Sequence, residues 1–256
     1  MGLEFLIKHD LMSELSAETL RDSARLHALD SNGGKMQSWS SARCLSGELT
    51  FGHQTYILDD GTLLFVATDY LRELNRFTKE IAEPVQLFPR TFPAEKEGPY
   101  NKRLSRTLSG AILLDQRVVR RPQATDVEIC DVALRTKHLI HVKRGSSSSS
   151  LSHLFAQGVV SAELLHMDAA FRKEVKKKLS NKLMGTGAGL MKDFAWLHVK
   201  QFEPHVCEVV FAIMTERPRE MSREELPFFS KVNLRMRCHE LRRMGFKYSL
   251  ALVPTQ

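Results

Sequence analysis

The residues best suited to chemistry lie in the stretch 126–157, where two predicted strands, a serine-rich turn and a helix follow one another. Asp131 ends the first strand, close after Glu128. A carboxylate at the end of an apolar strand needs solvent, a hydrogen-bond donor or a cation, because burying its charge alone is costly. We therefore expect Asp131 to bind Mg²⁺ or Mn²⁺ through a carboxylate oxygen. The alternative is that Asp131 only opens a turn towards Arg135.

The second predicted strand presents His141 and Lys143 on one face, since strand side chains alternate with a period of two. Lys143 is suited to hold a scissile phosphate and to stabilise the charge that develops on it. A surface lysine on an edge strand is the alternative. His141 suits Mn²⁺ or another transition metal, general-base catalysis, or no chemical role. The predicted metal ligands are thus Asp131, Glu128 and His141.

The serine run at residues 145–150 precedes a helix and offers hydroxyls and backbone amides to an anion. A flexible surface loop explains the same run. His153 and Gln157 are one helical turn apart and share a face, so they either contact phosphate or are simply solvated. The predicted catalytic residues are Asp131, His141, Lys143 and Gln157, and the predicted phosphate- or nucleic-acid-binding residues are Arg144, Ser148, Ser150, His153, Lys176 and Lys177.

Composition limits the class of protein and favours an anionic partner. The 256 residues are 43% hydrophobic and 26% charged, with a formal net charge of +7. A positive balance favours binding to a polyanion such as nucleic acid. No apolar run is long enough for a membrane span, so no membrane association is expected. The four cysteines are scattered without a C-x-x-C pair, which predicts free thiols and a cytoplasmic location.

Two basic clusters add to the positive charge. They are Arg172, Lys173, Lys176, Lys177 and Lys178 in one helix, and Arg235, Arg237, Arg242 and Arg243 in another. For either cluster taken alone, a solvated helix face is the favoured explanation. Together with a candidate phosphate site, they favour nucleic acid as the partner.

The chain is expected to contain a small N-terminal α+β unit, residues 1–95, and a larger α/β core, residues 96–256. The first unit is predicted to have a helix over residues 14–29 and a three-stranded meander with turns at Gly52-His53 and Asp60-Gly61. Prolines 84, 89 and 93 suggest a linker between the units. The GTGAG segment, residues 185–189, is expected to be a turn because no clear strand precedes it.

The larger unit reads as α/β (α+β), with a mixed central sheet flanked by helices. Its predicted helices are residues 100–111, 150–165 and 230–245, and its predicted strands are 112–114 with an extension to 119, 127–134, 138–143, 207–214 and 246–253. The continuous apolar run at 207–214 is typical of a strand buried on both faces. Gly245 suits the left-handed position that ends a helix.

The segment IHVKRGSSSSSLSHLFAQGVVSAELL closely resembles an uncharacterised, sporadically distributed bacterial family that is found in mobile elements and defence loci. YILDDG, GPYN, EICD and LPFFSKVNLR match the same family, so the resemblance covers most of the chain and suggests the C-terminal half of a longer typical member. The resemblance implies a role in defence against phage or mobile elements, with a protein partner as a further possibility. It implies no established activity.

More distantly, the chain is similar to the PD-(D/E)xK nuclease superfamily, whose core resembles that of restriction endonucleases. This similarity implies an acid-ended strand, an E-x-K strand and a following helix that often carries glutamine. Asp131, Lys143 and Gln157 match those positions. His141 replaces the expected carboxylate, and the predicted first helix contains no acid, which leaves Glu97 or Asp115 as substitutes.

Three functions are consistent with the sequence. The first is a metal-dependent nuclease acting on DNA or RNA. The second is a catalytically degenerate module that binds nucleic acid or a partner protein, because the metal shell looks incomplete. The third is a metal-independent ribonuclease in which His141 and His153 act as an acid–base pair. Oligomeric state and the choice between DNA and RNA are not determined by these patterns.

Overall fold

A computed structural model describes residues 25–51, 54–115, 118–121, 124–145, 147–183 and 192–256. The chain divides into two compact units between Glu73 and Leu74, and each is described by itself. The prolines that the sequence suggested as a linker fall inside the second unit. No helix in the described ranges is both long and apolar enough for a membrane span. The GTGAG segment and the turn at Gly52-His53 lie outside the described residues.

The part of the first unit that the structure describes, from residue 25 onward, contains two small antiparallel sheets. Strand β1 (Arg25–Leu29) pairs with β2 (Lys35–Ser40), and β3 (Gly47–Phe51), β4 (Gln54–Asp59) and β5 (Thr62–Phe65) form the predicted meander. Asp60 and Gly61 both have positive φ, 45° and 73°, as the predicted tight turn requires. The predicted helix over residues 14–29 is wrong at Arg25–Leu29, where alternate side chains are more exposed, as on a strand.

Helix α1 (Thr68–Glu80) follows the meander, and the described part of the second unit contains a five-stranded mixed sheet and a separate two-stranded antiparallel sheet. The helices and strands of the second unit after α1 are α2 (Glu97–Thr107), β6 (Ala111–Leu113), β7 (Val118–Arg121), β8 (Ala124–Glu128), β9 (Val132–Leu134), β10 (His138–Arg144), α3 (Ser148–Met167), α4 (Ala169–Leu183), β11 (Glu208–Met214), α5 (Phe228–Arg243) and β12 (Lys247–Val253). The strand order in the five-stranded sheet is β12-β11-β10-β9-β6, and β7 pairs only with β8. Strands β10, β11 and β12 are parallel, whereas β6, β9 and β10 are antiparallel neighbours.

The sheet has a hydrophobic core on each face. Phe155 and Val159 of α3 pack with Val209 and Phe211 on one face, together with α4 and α5. On the other face, Tyr100, Leu104 and Leu108, in and just after α2, pack against alternate residues of β10, β11 and β12. Strand β11 is therefore buried on both sides, as its continuous apolar run predicted. The predicted class, a mixed α+β fold with a central sheet flanked by helices, is confirmed.

Several predicted element boundaries differ from the observed ones. The predicted helix at residues 100–111 is Glu97–Thr107, because Pro99 is tolerated in a first helical turn and Gly110 has a φ of 67°. The predicted strand at 127–134 is broken between β8 and β9. Strand β6 ends at Leu113 and does not extend to Val119, which lies in the separate hairpin strand β7. Helix α5 begins at Phe228 after Pro227 rather than at Ser230, and Gly245 has the expected positive φ of 87°.

Candidate functional site

Lys143 and Glu97 form an ion pair where the end of β10 meets the start of α2. The Lys143 Nζ lies 3.1 Å from Glu97 Oε1 and 3.2 Å from Oε2. The backbone N–H of Arg144 donates to Glu97 Oε1 over 3.0 Å. Both side chains remain partly accessible, with 27% exposed for Lys143 and 34% for Glu97. A ligand arriving from solvent can therefore reach this pair.

The position of Glu97 follows from the packing of α2. Tyr100 and Leu104 are fully buried against the sheet, which fixes the helix one turn after its first residue. Lys96 precedes the helix in an extended conformation without a side-chain cap. Because an acidic residue in a first turn interacts favourably with the helix dipole, Glu97 suits this position as well as the ion pair.

Asp131 lies at the bend just before β9 and is held by two hydrogen bonds. Its Oδ2 accepts from the Val142 backbone N–H over 2.7 Å, and its Oδ1 accepts from Asn101 Nδ2 over 3.0 Å. The pKa of Asp131 is raised to about 7, chiefly by burial and also by the negative charges of Asp115, Glu128 and Glu97, although the hydrogen bond from Val142 opposes the shift.

Two further acids border this cluster. The Nε2 of Gln157, in the third turn of α3, lies 3.5 Å from Glu128 Oε2 at the end of β8. The Asp115 Oδ2 lies near Gly98, 3.6 Å from where a Cβ would be at that glycine. Gln157 therefore contacts Glu128, Lys143 contacts Glu97, and the charges of Glu128 and Glu97 both act on Asp131. Glu97 and Asp115, the two substitutes that the sequence suggested, are beside them.

The oxygen donors suit a hard divalent cation, although the shell is incomplete as it stands. Mg²⁺ is commonly held by one or two carboxylates, with waters and substrate phosphate completing the octahedron. Asp131 and Glu97 supply such carboxylates. Within the described ranges, no group of three or more histidine, cysteine, aspartate or glutamate side chains is close enough to hold a metal ion by itself.

His141 is not part of this cluster. Its side chain is 3% exposed, and its Nε2 lies 3.3 Å from the Ser161 Oγ of α3 in the interior. Burial lowers the pKa of His141 to about 4, so the ring is neutral near neutral pH. His153 is exposed on α3, so the structure does not present the two histidines on a common accessible surface.

The last three serines of the run, residues 148–150, form the start of α3. Ser147, rather than the predicted Ser150, is the N-cap, and its Oγ accepts from the Ser150 backbone N–H over 3.3 Å. Ser148 is the first residue of the helix. The Ser150 Oγ is buried and lacks a hydrogen-bond partner. Gly145, which joins β10 to this turn, has a φ of 116°.

The basic residues serve different purposes. Arg172 is 6% exposed and donates to the backbone carbonyls of Leu165, His166, Val199 and Lys200, so its role is structural. Lys176 is exposed on α4, and exposed Lys177 pairs with Glu174 at 2.6 Å. Arg144 Nε lies 3.2 Å from Glu216 Oε1.

Sequence reasoning missed Asn101, which is fully buried and donates to Asp131. A polar residue between Tyr100 and Leu104, on the buried side of a helix, was the available signal. It also missed that Glu97 begins α2. The GPYN motif hid this helix start, because glycine and proline usually indicate a loop.

Comparison with known proteins gives a family but no activity. No curated protein and no solved structure matches the chain. The model of a family of unknown function, DUF6119, matches residues 3–254. The match extends over both compact units, and it agrees with the resemblance to an uncharacterised family. The chain therefore belongs to the family of unknown function DUF6119.

Proposed function

We propose that the protein is a metal-dependent phosphodiesterase that cleaves nucleic acid at the Glu97–Asp131–Lys143 cluster. The observation that carries this proposal is the meeting of three elements: an acid before β9, a lysine on β10 and an acid at the start of α2. The similarity to the PD-(D/E)xK superfamily supports the same assignment, because Asp131, Lys143 and Gln157 match its positions. The net charge of +7 favours a polyanionic substrate.

Each residue has a distinct expected role. Asp131 and Glu97 would hold Mg²⁺ or Mn²⁺, which supplies Lewis-acid stabilisation of the phosphate and a more acidic water. Lys143 binds a non-bridging phosphate oxygen and stabilises the negative charge that develops there. In the free protein, Glu97 neutralises this lysine, so a cation on Glu97 would free the Lys143 amine for the substrate. Gln157 positions the Glu128 carboxylate beside the cluster.

The test is cleavage of single-stranded DNA, duplex DNA and RNA with Mg²⁺ or Mn²⁺. We expect Lys143→Ala to lower the cleavage rate about 100-fold or more, since one charge-stabilising donor is lost. Lys102→Ala is the matched control, because this exposed lysine lies on α2 without a contact to the cluster. Circular dichroism would establish that both variants fold. Equal cleavage by Lys143→Ala and the unsubstituted protein would refute the assignment.

A non-catalytic binding module is the second candidate. Two observations favour it: the described residues lack a group of three metal-binding side chains, and Glu97 is already paired with Lys143. This function predicts salt-dependent binding of nucleic acid without turnover at any metal concentration. Turnover that depends on Lys143 would exclude it.

The biological setting we propose is defence against phage or mobile elements, alone or with a protein partner. This rests on the resemblance to a family found in mobile elements and defence loci. Plaque counts on cells that produce the protein, or its Lys143→Ala variant, would test it. Equal plaque numbers with the protein and with an empty vector would count against a defence role.

A further inference from the structure

A cavity lies beside the candidate site, at the carboxyl ends of the three parallel strands. Its volume is about 260 Å³, and its lining includes Phe92, Glu95, Arg144, Met214, Glu216 and Thr255. Arg144 connects the cavity to the candidate site, because it follows Lys143 in β10 and its N–H donates to Glu97. Ligands of parallel sheets commonly bind beyond the carboxyl ends of the strands.

Phe92 forms a fixed aromatic surface in this cavity. The Arg103 guanidinium lies 4.5 Å from the centroid of the Phe92 ring. Arg103 is itself fixed, since its Nη2 donates to Glu95 Oε2 over 2.6 Å and to the Arg90 carbonyl over 2.9 Å. Phe92 remains 46% exposed, so part of the ring is available to a ligand.

The turn that carries Phe92 is held tightly. The Glu95 N–H donates to the Phe92 carbonyl over 3.0 Å, and the Phe92 N–H donates to Glu95 Oε2 over 3.0 Å. Ala94 has a φ of 57°, an unfavourable value for a residue with a side chain. Thr91 fastens the turn to the sheet, because its N–H donates to the Pro254 carbonyl over 3.0 Å. The ring is thus positioned before any ligand binds.

Arg144 supplies the positive charge of the cavity. Its Nε lies 3.2 Å from Glu216 Oε1, and its Nη1 donates to the Glu95 carbonyl over 3.3 Å. The Glu216 side chain is 61% exposed, so this ion pair contributes little to stability. A phosphate can therefore replace the Glu216 carboxylate on the guanidinium, which suits phosphate oxygens through paired N–H donors.

We propose that this cavity is a base-binding subsite for single-stranded nucleic acid. An unpaired base stacks on the open part of the Phe92 ring, and the adjoining phosphate binds Arg144 in place of Glu216. The strand then continues past Lys143, so the inference rests on the proposed function for the identity of the cleavage site. A duplex does not fit this arrangement, because its base faces are already stacked on their neighbours.

The test measures binding rather than cleavage, with the full chain in EDTA. The probes are a fluorescent single-stranded oligonucleotide, an abasic strand of equal length and charge, and a duplex. We expect Phe92→Ala to weaken binding of the base-bearing strand about 5- to 100-fold, the range for loss of one stacked base. Phe92→Trp retains binding, Phe92→Leu weakens it, and the abasic strand binds all of these variants equally.

Two further variants separate stacking from charge. Phe229→Ala is the matched control, because Phe229 is an aromatic residue of similar exposure, 39%, on α5. It should leave binding unchanged. Glu216→Gln should tighten binding of both the base-bearing and the abasic strand, because it frees Arg144.

Specific results would overturn the proposal. They are an unchanged affinity for Phe92→Ala, an equal loss on the abasic strand, an equal Phe92 dependence with duplex, or no binding by the unsubstituted chain. Because EDTA removes metal-dependent cleavage, a failed cleavage experiment with an intact Phe92 effect rejects only the proposed hydrolysis. Cleavage without a Phe92 effect rejects only the subsite.

Discussion

At the scale of single residues, Asp131 shows most clearly that the site disfavours the ionised form of a buried carboxyl group. Its pKa of about 7 lies above the ordinary value of 3.8 because of burial and the charges of Asp115, Glu128 and Glu97. The folded state therefore binds a proton between these two pH values that the unfolded chain has already lost. This tighter proton binding stabilises the folded state at low pH. As pH rises from about 4 through 7, the proton is released and the free energy of unfolding decreases.

Asparagine does not titrate, so replacing Asp131 with asparagine should remove this decrease in the free energy of unfolding with rising pH. Asn101 can accommodate the change, because its Oδ1 is buried without a hydrogen-bond partner. If the Asn101 amide flips, this oxygen takes the place of the Nδ2 that now donates to Asp131, and it can accept from the new side-chain amide. We expect Asp131→Asn to gain roughly 1–2 kcal/mol of stability relative to the unsubstituted protein between pH 5 and pH 8. Urea denaturation in EDTA at both pH values measures this. An equal stability difference at pH 5 and pH 8 would contradict the charge argument.

Which site residues could be predicted depends on how the chain brings them together. Asp131 and the strand of Lys143 are close in sequence, and Asp131 accepts a hydrogen bond from the backbone N–H of Val142, the neighbour of Lys143. Glu97 contacts Lys143 from 46 positions away, and only the packing of α2 decides that contact. His141 shares the strand pattern of Lys143, yet its burial against Ser161 depends on where α3 lies. Periodicity shows which face a residue occupies but does not show what covers that face.

At the scale of elements, continuous hydrophobic patterns predicted which strands exist better than they predicted where each strand begins and ends. The continuous apolar run of β11 predicted a strand buried on both faces, because neither face of such a strand meets water and polar residues are therefore disfavoured on both. The break between β8 and β9 was hidden, since Ile129 and Cys130 are buried and continue the apolar pattern through the bend. That bend matters for the proposed site, because it turns Asp131 towards the Val142 backbone N–H.

The close packing of α3 on the sheet gives an element-scale prediction at Gly158. A Cβ there would lie 2.5 Å from Phe211 Cε1 and 3.2 Å from Val209 Cγ1. Phe211 is fully buried and packs edge-on against Phe155 at 5.2 Å, so its ring has no room to turn. We expect Gly158→Ala to destabilise the protein by about 1–3 kcal/mol through overpacking. Urea denaturation measures the difference.

This expectation is opposite to the usual effect of the substitution. Glycine to alanine inside a helix normally stabilises by about 1 kcal/mol. The control is Val160→Ala on the same helix, where the side chain is 40% exposed. It should change stability by less than about 0.5 kcal/mol. A Gly158→Ala variant as stable as the unsubstituted protein would show that α3 can move away from the sheet without cost.

At the scale of the whole molecule, the positive charge is not all available for binding. Arg172 donates to four backbone carbonyls, Arg237 pairs with Glu240 and Arg242 donates to Tyr248. Cluster counts from the sequence therefore overstate the free positive surface. Lys176 and Lys177 of α4 are exposed and remain candidates for contact with phosphate.

Local contact and overall charge can be separated with two double variants. Lys176→Glu with Lys177→Glu changes α4, and Lys35→Glu with Lys79→Glu changes two exposed lysines outside both basic clusters. Each pair lowers the formal net charge from +7 to +3, because every exchange removes two positive units. We expect only the α4 pair to weaken single-stranded binding strongly and to reduce the slope of log affinity against log salt by about 1 to 1.4.

The measurement is fluorescence anisotropy across a salt series with the same oligonucleotide for both variants. If net charge alone attracts the strand, the two variants lose affinity equally and their salt slopes shift together. If α4 contacts the phosphates, the control variant retains nearly the full slope. Equal losses would therefore remove α4 from the nucleic-acid interface while leaving the Glu97–Asp131–Lys143 cluster to be judged by cleavage.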